Sequence, residues 1–116
     1  MGSFMLLLHL DEGVRQRRTP EEFAAQMREY RAWTDEIRAA GRLGMGNKLT
    51  DDAGRIVKSG NGRVTTTDGP YAESKELLGG FYVIHAGDYA DACRVAASCP
   101  HLKYGYRVEL RQVEEL

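Results

Sequence analysis

The chain has 116 residues, 42% hydrophobic and 28% charged, a balance that excludes a disordered or low-complexity polypeptide. Its 16 basic and 17 acidic residues leave a formal charge of -1, which excludes the strong basic field of a nucleic-acid or anionic-membrane binder. A single domain spanning residues 1–116 is expected, large enough to build a core without metal or disulfide staples.

The first element is Phe4-Met5-Leu6-Leu7-Leu8-His9-Leu10, a continuous apolar run that fits a strand buried on both faces. It is too short for a secretory leader or a bilayer span, so a cytoplasmic protein is expected. The basic run Arg15-Gln16-Arg17-Arg18 follows and reads first as a solvated loop, with a phosphate-binding patch as the alternative. Thr19-Pro20-Glu21-Glu22 then opens a helix. Thr19 can cap, Pro20 sits where a missing N–H costs nothing, and Glu22 completes a capping box. Phe23, Met27, Tyr30, Trp33, Ile37 and Ala40 recur at helical spacing, and Gly41 supplies the stop.

Short strands are expected at Met45–Leu49 and Arg55–Lys58, joined by Asp51-Asp52-Ala53-Gly54. Asn61-Gly62 offers a tight turn before the β-branched run Arg63–Thr67, which suits an edge strand. Gly80–Ala86 is again nearly all apolar. Asp88 caps a second helix through Ala92, Val95 and Ala96, and Pro100 follows its end. The last strand, Tyr106–Val113, alternates Tyr106, Val108 and Leu110 with Arg107, Glu109 and Arg111, the pattern of a half-exposed position. Cys93 and Cys99 lie nearly opposite one another around the second helix, so a disulfide between them is unfavourable and a reducing compartment is expected.

The order is that of an α+β, ferredoxin-like fold, βαββαβ with an extra hairpin in its middle. The two apolar strands are expected as an adjacent, parallel central pair, which would bring His9 and His85 together at one end of the sheet. Two helices cover only one face of such a sheet, yet both faces of Phe4–Leu10 and of Phe81–Ala86 are apolar. A second copy packed sheet to sheet would cover the other face, so a homodimer is expected.

The chemistry-bearing segment is Asp68-Gly69-Pro70-Tyr71-Ala72-Glu73-Ser74-Lys75-Glu76, four ionisable side chains and a tyrosine on a turn stiffened by Pro70. Two readings stand on spacing alone: a solvated connector, or a set of groups that orients a polar ligand and moves protons. As a pair His9 and His85 could bind a metal or act as acid and base, but a metal needs three or four ligands and only His101 offers a third, so structural histidines are the first reading and no metal or cofactor is expected. The Gly41-x-x-Gly44-x-Gly46-Asn47-Lys48 stretch lacks the spacing and following helix of a phosphate loop. Tyr30, Trp33, Tyr82 and Tyr106 read first as core and interface, with an aromatic-lined cleft for a small compound as the alternative.

The stretch Asp68 to Ile84, DGPYAESKELLGGFYVI, closely resembles the signature of the DGPF-domain proteins of the YCII-related superfamily. The likeness extends to the Phe4–Leu10 strand, the Gly41–Leu49 region, the helix ending near Pro100 and the Val108–Arg111 ending. Tyr71 departs from it, standing where the family name implies Phe. The resemblance implies a dimeric ferredoxin-like α+β barrel with a cleft near the dimer interface. It implies a protein that binds or transforms a small polar or aromatic metabolite, with Asp68, Tyr71, Glu73, Lys75 and Tyr82 as ligand-binding candidates and Asp68, Glu73 and Lys75 as catalytic ones. The alternative it implies is a non-catalytic module associated with an extracytoplasmic-function sigma factor. YCII-related enzymes include a dehydrochlorinase of chlorinated hydroxyquinols for which a His-Asp pair has been proposed. The helix Glu21–Ala40 of this chain holds no histidine for that pair.

Overall fold

A computed structural model describes residues 1–68 and 76–115. The first strand, β1 (Gly2–Asp11), runs directly into a short helix, α1 (Glu12–Arg17), capped by Asp11, whose side chain accepts from the Val14 amide. The long helix α2 (Pro20–Ala39) starts as the sequence predicts, with the Thr19 hydroxyl accepting from the Glu22 amide at 3.1 Å. Strand β2 (Leu43–Lys48) returns along the sheet, and β3 (Arg55–Gly60) and β4 (Arg63–Asp68) form a hairpin. Strand β5 (Glu76–Ala86), helix α3 (Tyr89–Ala97), a 3-10 turn (Pro100–Tyr104) and β6 (Arg107–Val113) complete the chain.

The main sheet has the order β2-β5-β1-β6, and every pairing in it is antiparallel. This is the ferredoxin-like arrangement, and it corrects the expected parallel central pair. Each helical crossover connects strands one place apart, and the strand inserted between them runs the other way. Apolarity made β1 and β5 central, as expected, but says nothing of direction. The register pairs Ser3 with His85 and His9 with Leu78, so the two histidines stand at opposite ends of the sheet. The expected approach of His9 to His85 therefore does not occur.

Phe4, Leu6, Leu8, Ile84 and Ala86 point to the helix side and are buried there against Trp33, Ile37, Ala92 and Ala96. Each large member of this set contributes roughly 1.5–3 kcal/mol by leaving water. Trp33 adds direction as well as area. Its ring meets Tyr82 edge-on at 5.1 Å, and its indole N–H donates to Ser98 Oγ at 2.9 Å, tying α2 to the end of α3. Arg42 donates to both carboxylate oxygens of Asp91, joining the start of β2 to α3, and this contact with the Gly87 amide holds the Asp91 carboxyl down at about 2.

The opposite face carries Met5, Leu7, Phe81 and Val83, half-buried by one another, with Met45 50% exposed beside them. No described element lies across them. The hairpin β3–β4 forms a separate two-stranded sheet in which every residue is exposed. Its Asn61-Gly62 turn has positive φ at both positions, 51° and 75°, the tight turn the sequence predicts. The hairpin stretches the molecule to a radius of gyration of 16.0 Å, against about 13 Å for a compact chain of this length. Among the described residues no helix is long and apolar enough to cross a membrane.

Candidate functional site

A cavity of about 550 Å3 opens between α2 and the sheet, at the end where β1 and β2 finish and β5 begins. The helix lends it one face through Met27, Tyr30, Arg31 and Thr34, spaced three and four apart. The sheet supplies Leu8, Leu10 and Tyr82. Glycines let these side chains lie flat. A Cβ on Gly46 would fall 2.4 Å from the Tyr82 ring, and one on Gly79 would fall 2.5 Å from Leu10. Gly79 is also where the β1–β5 register slips by one residue, because Leu8 pairs with Gly80 while His9 pairs with Leu78.

Two hydrogen-bonded chains stand behind the cavity wall. His101 is 1% exposed, with Nε2 2.6 Å from the His9 carbonyl oxygen and Nδ1 2.6 Å from the Tyr30 hydroxyl. A carbonyl only accepts, so Nε2 carries the proton and donates, and Tyr30 O–H donates to Nδ1. Burial pushes His101 down to about 4, outweighing the carbonyl contact, so the imidazole is neutral near pH 7. Burial also raises the Tyr30 phenol well above its usual range. In the second chain the Thr34 hydroxyl donates to the Tyr30 carbonyl at 2.7 Å, so Tyr82 O–H donates to Thr34 Oγ1 at 3.0 Å. Burial raises the Tyr82 phenol too. Both phenols thus spend their protons inward and keep oxygen lone pairs for whatever enters.

The mouth is cationic. Arg18 lies with its guanidinium 4.3 Å over the Phe23 ring and donates to the buried Gln26 side chain at 3.1 Å. Lys48 donates to Asp51 at 2.9 Å and keeps its carboxyl below the ordinary range, and Arg15 and Arg18 approach the same carboxylate at 3.7 and 3.8 Å. Arg15 and Arg18 are only 18% and 14% exposed at their side chains, which corrects the reading of this run as a solvated loop. The short helix α1, which the sequence did not announce, turns both inward.

Of the residues singled out in the sequence, Tyr82 lines this cavity. Asp68 ends β4 with its side chain 89% exposed and paired with Arg55 at 3.4 Å, away from the cavity lining. Tyr71, Glu73 and Lys75 lie outside the described residues. His9 Nε2 contacts Glu109 at 3.0 Å on the far side of the sheet, and His85 packs near Gly44 there. Tyr30, read first as core, is a cavity residue. His101 was weighed only as a third metal ligand, and its real partners, Tyr30 and the His9 carbonyl, lie 71 and 92 residues away. Among the described residues no cluster of three or more histidines, cysteines or carboxylates could hold a metal.

The chain shares 32% identity over 90 residues with the uncharacterised protein R00369 of Rhizobium meliloti (strain 1021), covering 77% of this chain and 73% of that one. Its fold matches that of 5-chloro-2-hydroxyhydroquinone dehydrochlorinase (TftG) from Burkholderia phenoliruptrix AC1100, solved in complex with 2,5-dihydroxybenzoquinone. That likeness has a TM-score of 0.53 at 14% identity and covers 100% of this chain and 96% of the other. The model of the YCII-related domain matches residues 3–116, and the chain belongs to the YCII-related family.

Proposed function

We propose that the cavity beside α2 binds a small hydroxylated, ring-shaped metabolite and transforms it by proton transfer. The observation that carries this reading is the pair of inward-donating phenols. Tyr30 and Tyr82 offer acceptor oxygens to a cavity of about 550 Å3, a size suited to one small ring, and a neutral imidazole stands behind Tyr30. A ligand hydroxyl donates to Tyr30, and as its proton moves to the phenol oxygen the phenol proton passes to His101 Nδ1. With its conjugate acid held at about 4, His101 carries that proton only transiently, while charge develops on the ligand oxygen. The dehydrochlorinase whose fold this chain shares was solved with a dihydroxybenzoquinone, which makes that compound the natural first probe.

The test is a titration with 2,5-dihydroxybenzoquinone followed by amide NMR of Gly46, Gly79 and Gly80. Saturable shifts are expected, with Tyr30→Phe weakening binding at least tenfold and abolishing any turnover. Unmoved cavity amides at millimolar ligand would sink the reading.

The working form we propose is a homodimer, supported by the apolar outward face of Met5, Leu7, Phe81, Val83 and Met45 and by the hairpin that extends beyond its own core. An isolated two-stranded hairpin is only marginally stable in water, and a partner surface would steady it. A reducing, cytoplasmic setting is supported by the two free thiols, exposed Cys93 and buried Cys99.

A further inference from the structure

Among the described residues the cavity's charges do not balance: Arg18, Arg31 and Lys48 line it against one carboxylate, that of Asp51. Arg15, next outward, adds nothing to the imbalance, because Glu12 engages its guanidinium through both carboxylate oxygens. The phenols and the imidazole are neutral, since burial raises the first and lowers the second. Among the described residues two positive charges are therefore left over in the lining, on a chain whose formal net charge is -1.

The two surplus cations differ in how they are held. Arg18 is fixed by Phe23 beneath it and by Gln26 at one nitrogen, with the Tyr106 hydroxyl and a more distant Asp51 oxygen also within its reach, and its fork of five donors exceeds these partners. Arg31 is exposed, and among the described residues it has no ion-pair or hydrogen-bond partner. It stands on α2 next to Tyr30 and one turn before Thr34, on the face that forms the cavity wall. A fixed guanidinium and one with no partner among the described residues line the same cavity, and planar forks of this kind are the donors suited to a planar anion.

We propose that the metabolite is an acid: a hydroxylated aromatic carboxylate that places its carboxylate between Arg18 and Arg31 and its hydroxyl against Tyr30 and Tyr82. This rests on the reading of the cavity as a small-molecule site and narrows its substrate class. A neutral hydroquinone satisfies the phenols and leaves both guanidinium groups uncompensated.

The test compares 2,5-dihydroxybenzoate with its neutral isostere 2,5-dihydroxybenzamide, each titrated into the full chain and read at the Gly46, Gly79 and Gly80 amides. The acid is expected to bind at least tenfold more tightly at 50 mM salt, and the gap is expected to shrink at 500 mM. Arg31→Gln should close most of it, and because Arg31 has no partner among the described residues that variant is expected to melt as the parent does. Equal affinities, or a gap that survives Arg31→Gln, would overturn the assignment of an acid while leaving the cavity a binding site. Failure of both compounds to move those amides would remove the cavity reading as well.

Discussion

Acidification should destabilise this protein through His101 before any carboxylate takes part. An unfolded histidine titrates near 6.5, while burial holds His101 at about 4 in the fold. Between those values the unfolded chain binds a proton that the native one refuses, so stability is fully present above 6.5 and is lost as pH falls. The whole shift corresponds to about 3 kcal/mol. About 2 kcal/mol of it should disappear between pH 7 and pH 5 alone. That is a large share of the roughly 5–15 kcal/mol that holds a domain of this size together. The paired carboxylates Glu12, Asp51 and Asp91 all sit below their ordinary values of 3.8 to 4.5, so their contributions fade only at lower pH and leave this window to the histidine. Urea unfolding at pH 7, 6 and 5 measures the loss, and His101→Gln should flatten the slope while lowering stability throughout. Carbon-detected NMR of the imidazole reads the same titration without a variant. A midpoint above 6, or a slope unchanged in His101→Gln, would refute the placement of a neutral histidine behind Tyr30.

Two further outcomes follow from packing. Gly46→Ala puts a methyl 2.4 Å from the Tyr82 ring, so the ring must swing off Thr34; a loss of about 1–3 kcal/mol by thermal or urea unfolding is expected, together with the loss of ligand binding. On the outward face, wild-type chain at micromolar concentration should sediment as a dimer of the 13.0 kDa protomer, and Met45→Lys, placed at a half-exposed position, should shift it to monomer. A monomeric wild type would end the dimer proposal.

Much of the fold was legible because its signals were local. Thr19-Pro20 fixes the start of α2, Asn61-Gly62 fixes the hairpin turn, and Asp88 caps α3, its side chain accepting a hydrogen bond from the Asp91 amide at 2.8 Å. Strand direction was not local. Phe4–Leu10 and Phe81–Ala86 announce central strands by being apolar on both faces, and that pattern is the same whichever way they run. The site was harder to see for a related reason. On α2 the stripe that enters the core, Trp33 and Ile37, lies beside the stripe that lines the cavity, Met27, Tyr30 and Thr34, and hydrophobic periodicity merges the two. His101 gave one hint, its place in a Cys99-Pro100-His101 turn, but its role depends on partners brought together only by the finished sheet. The Arg15–Arg18 run was ambiguous because nothing in four residues tells which guanidinium groups turn inward.

The register slip at Gly79 acts as a clutch between two parts of β5. From Gly80 onward, alternate residues obey the core: Tyr82, Ile84 and Ala86 face the helices. Before the slip the alternation is inverted, so that Leu78 pairs with His9 on the outward face and Leu77 pairs with Leu10. Deleting Gly79 would let the ladder run unbroken with the same partners, Leu78 still opposite His9 on the outward face and Leu77 still opposite Leu10, at the loss of the Leu49 amide hydrogen bond that the Gly79 carbonyl accepts. One extra residue is thus absorbed at this point, and the core half of β5 keeps its register with β1 while Glu76, Leu77 and Leu78 keep theirs.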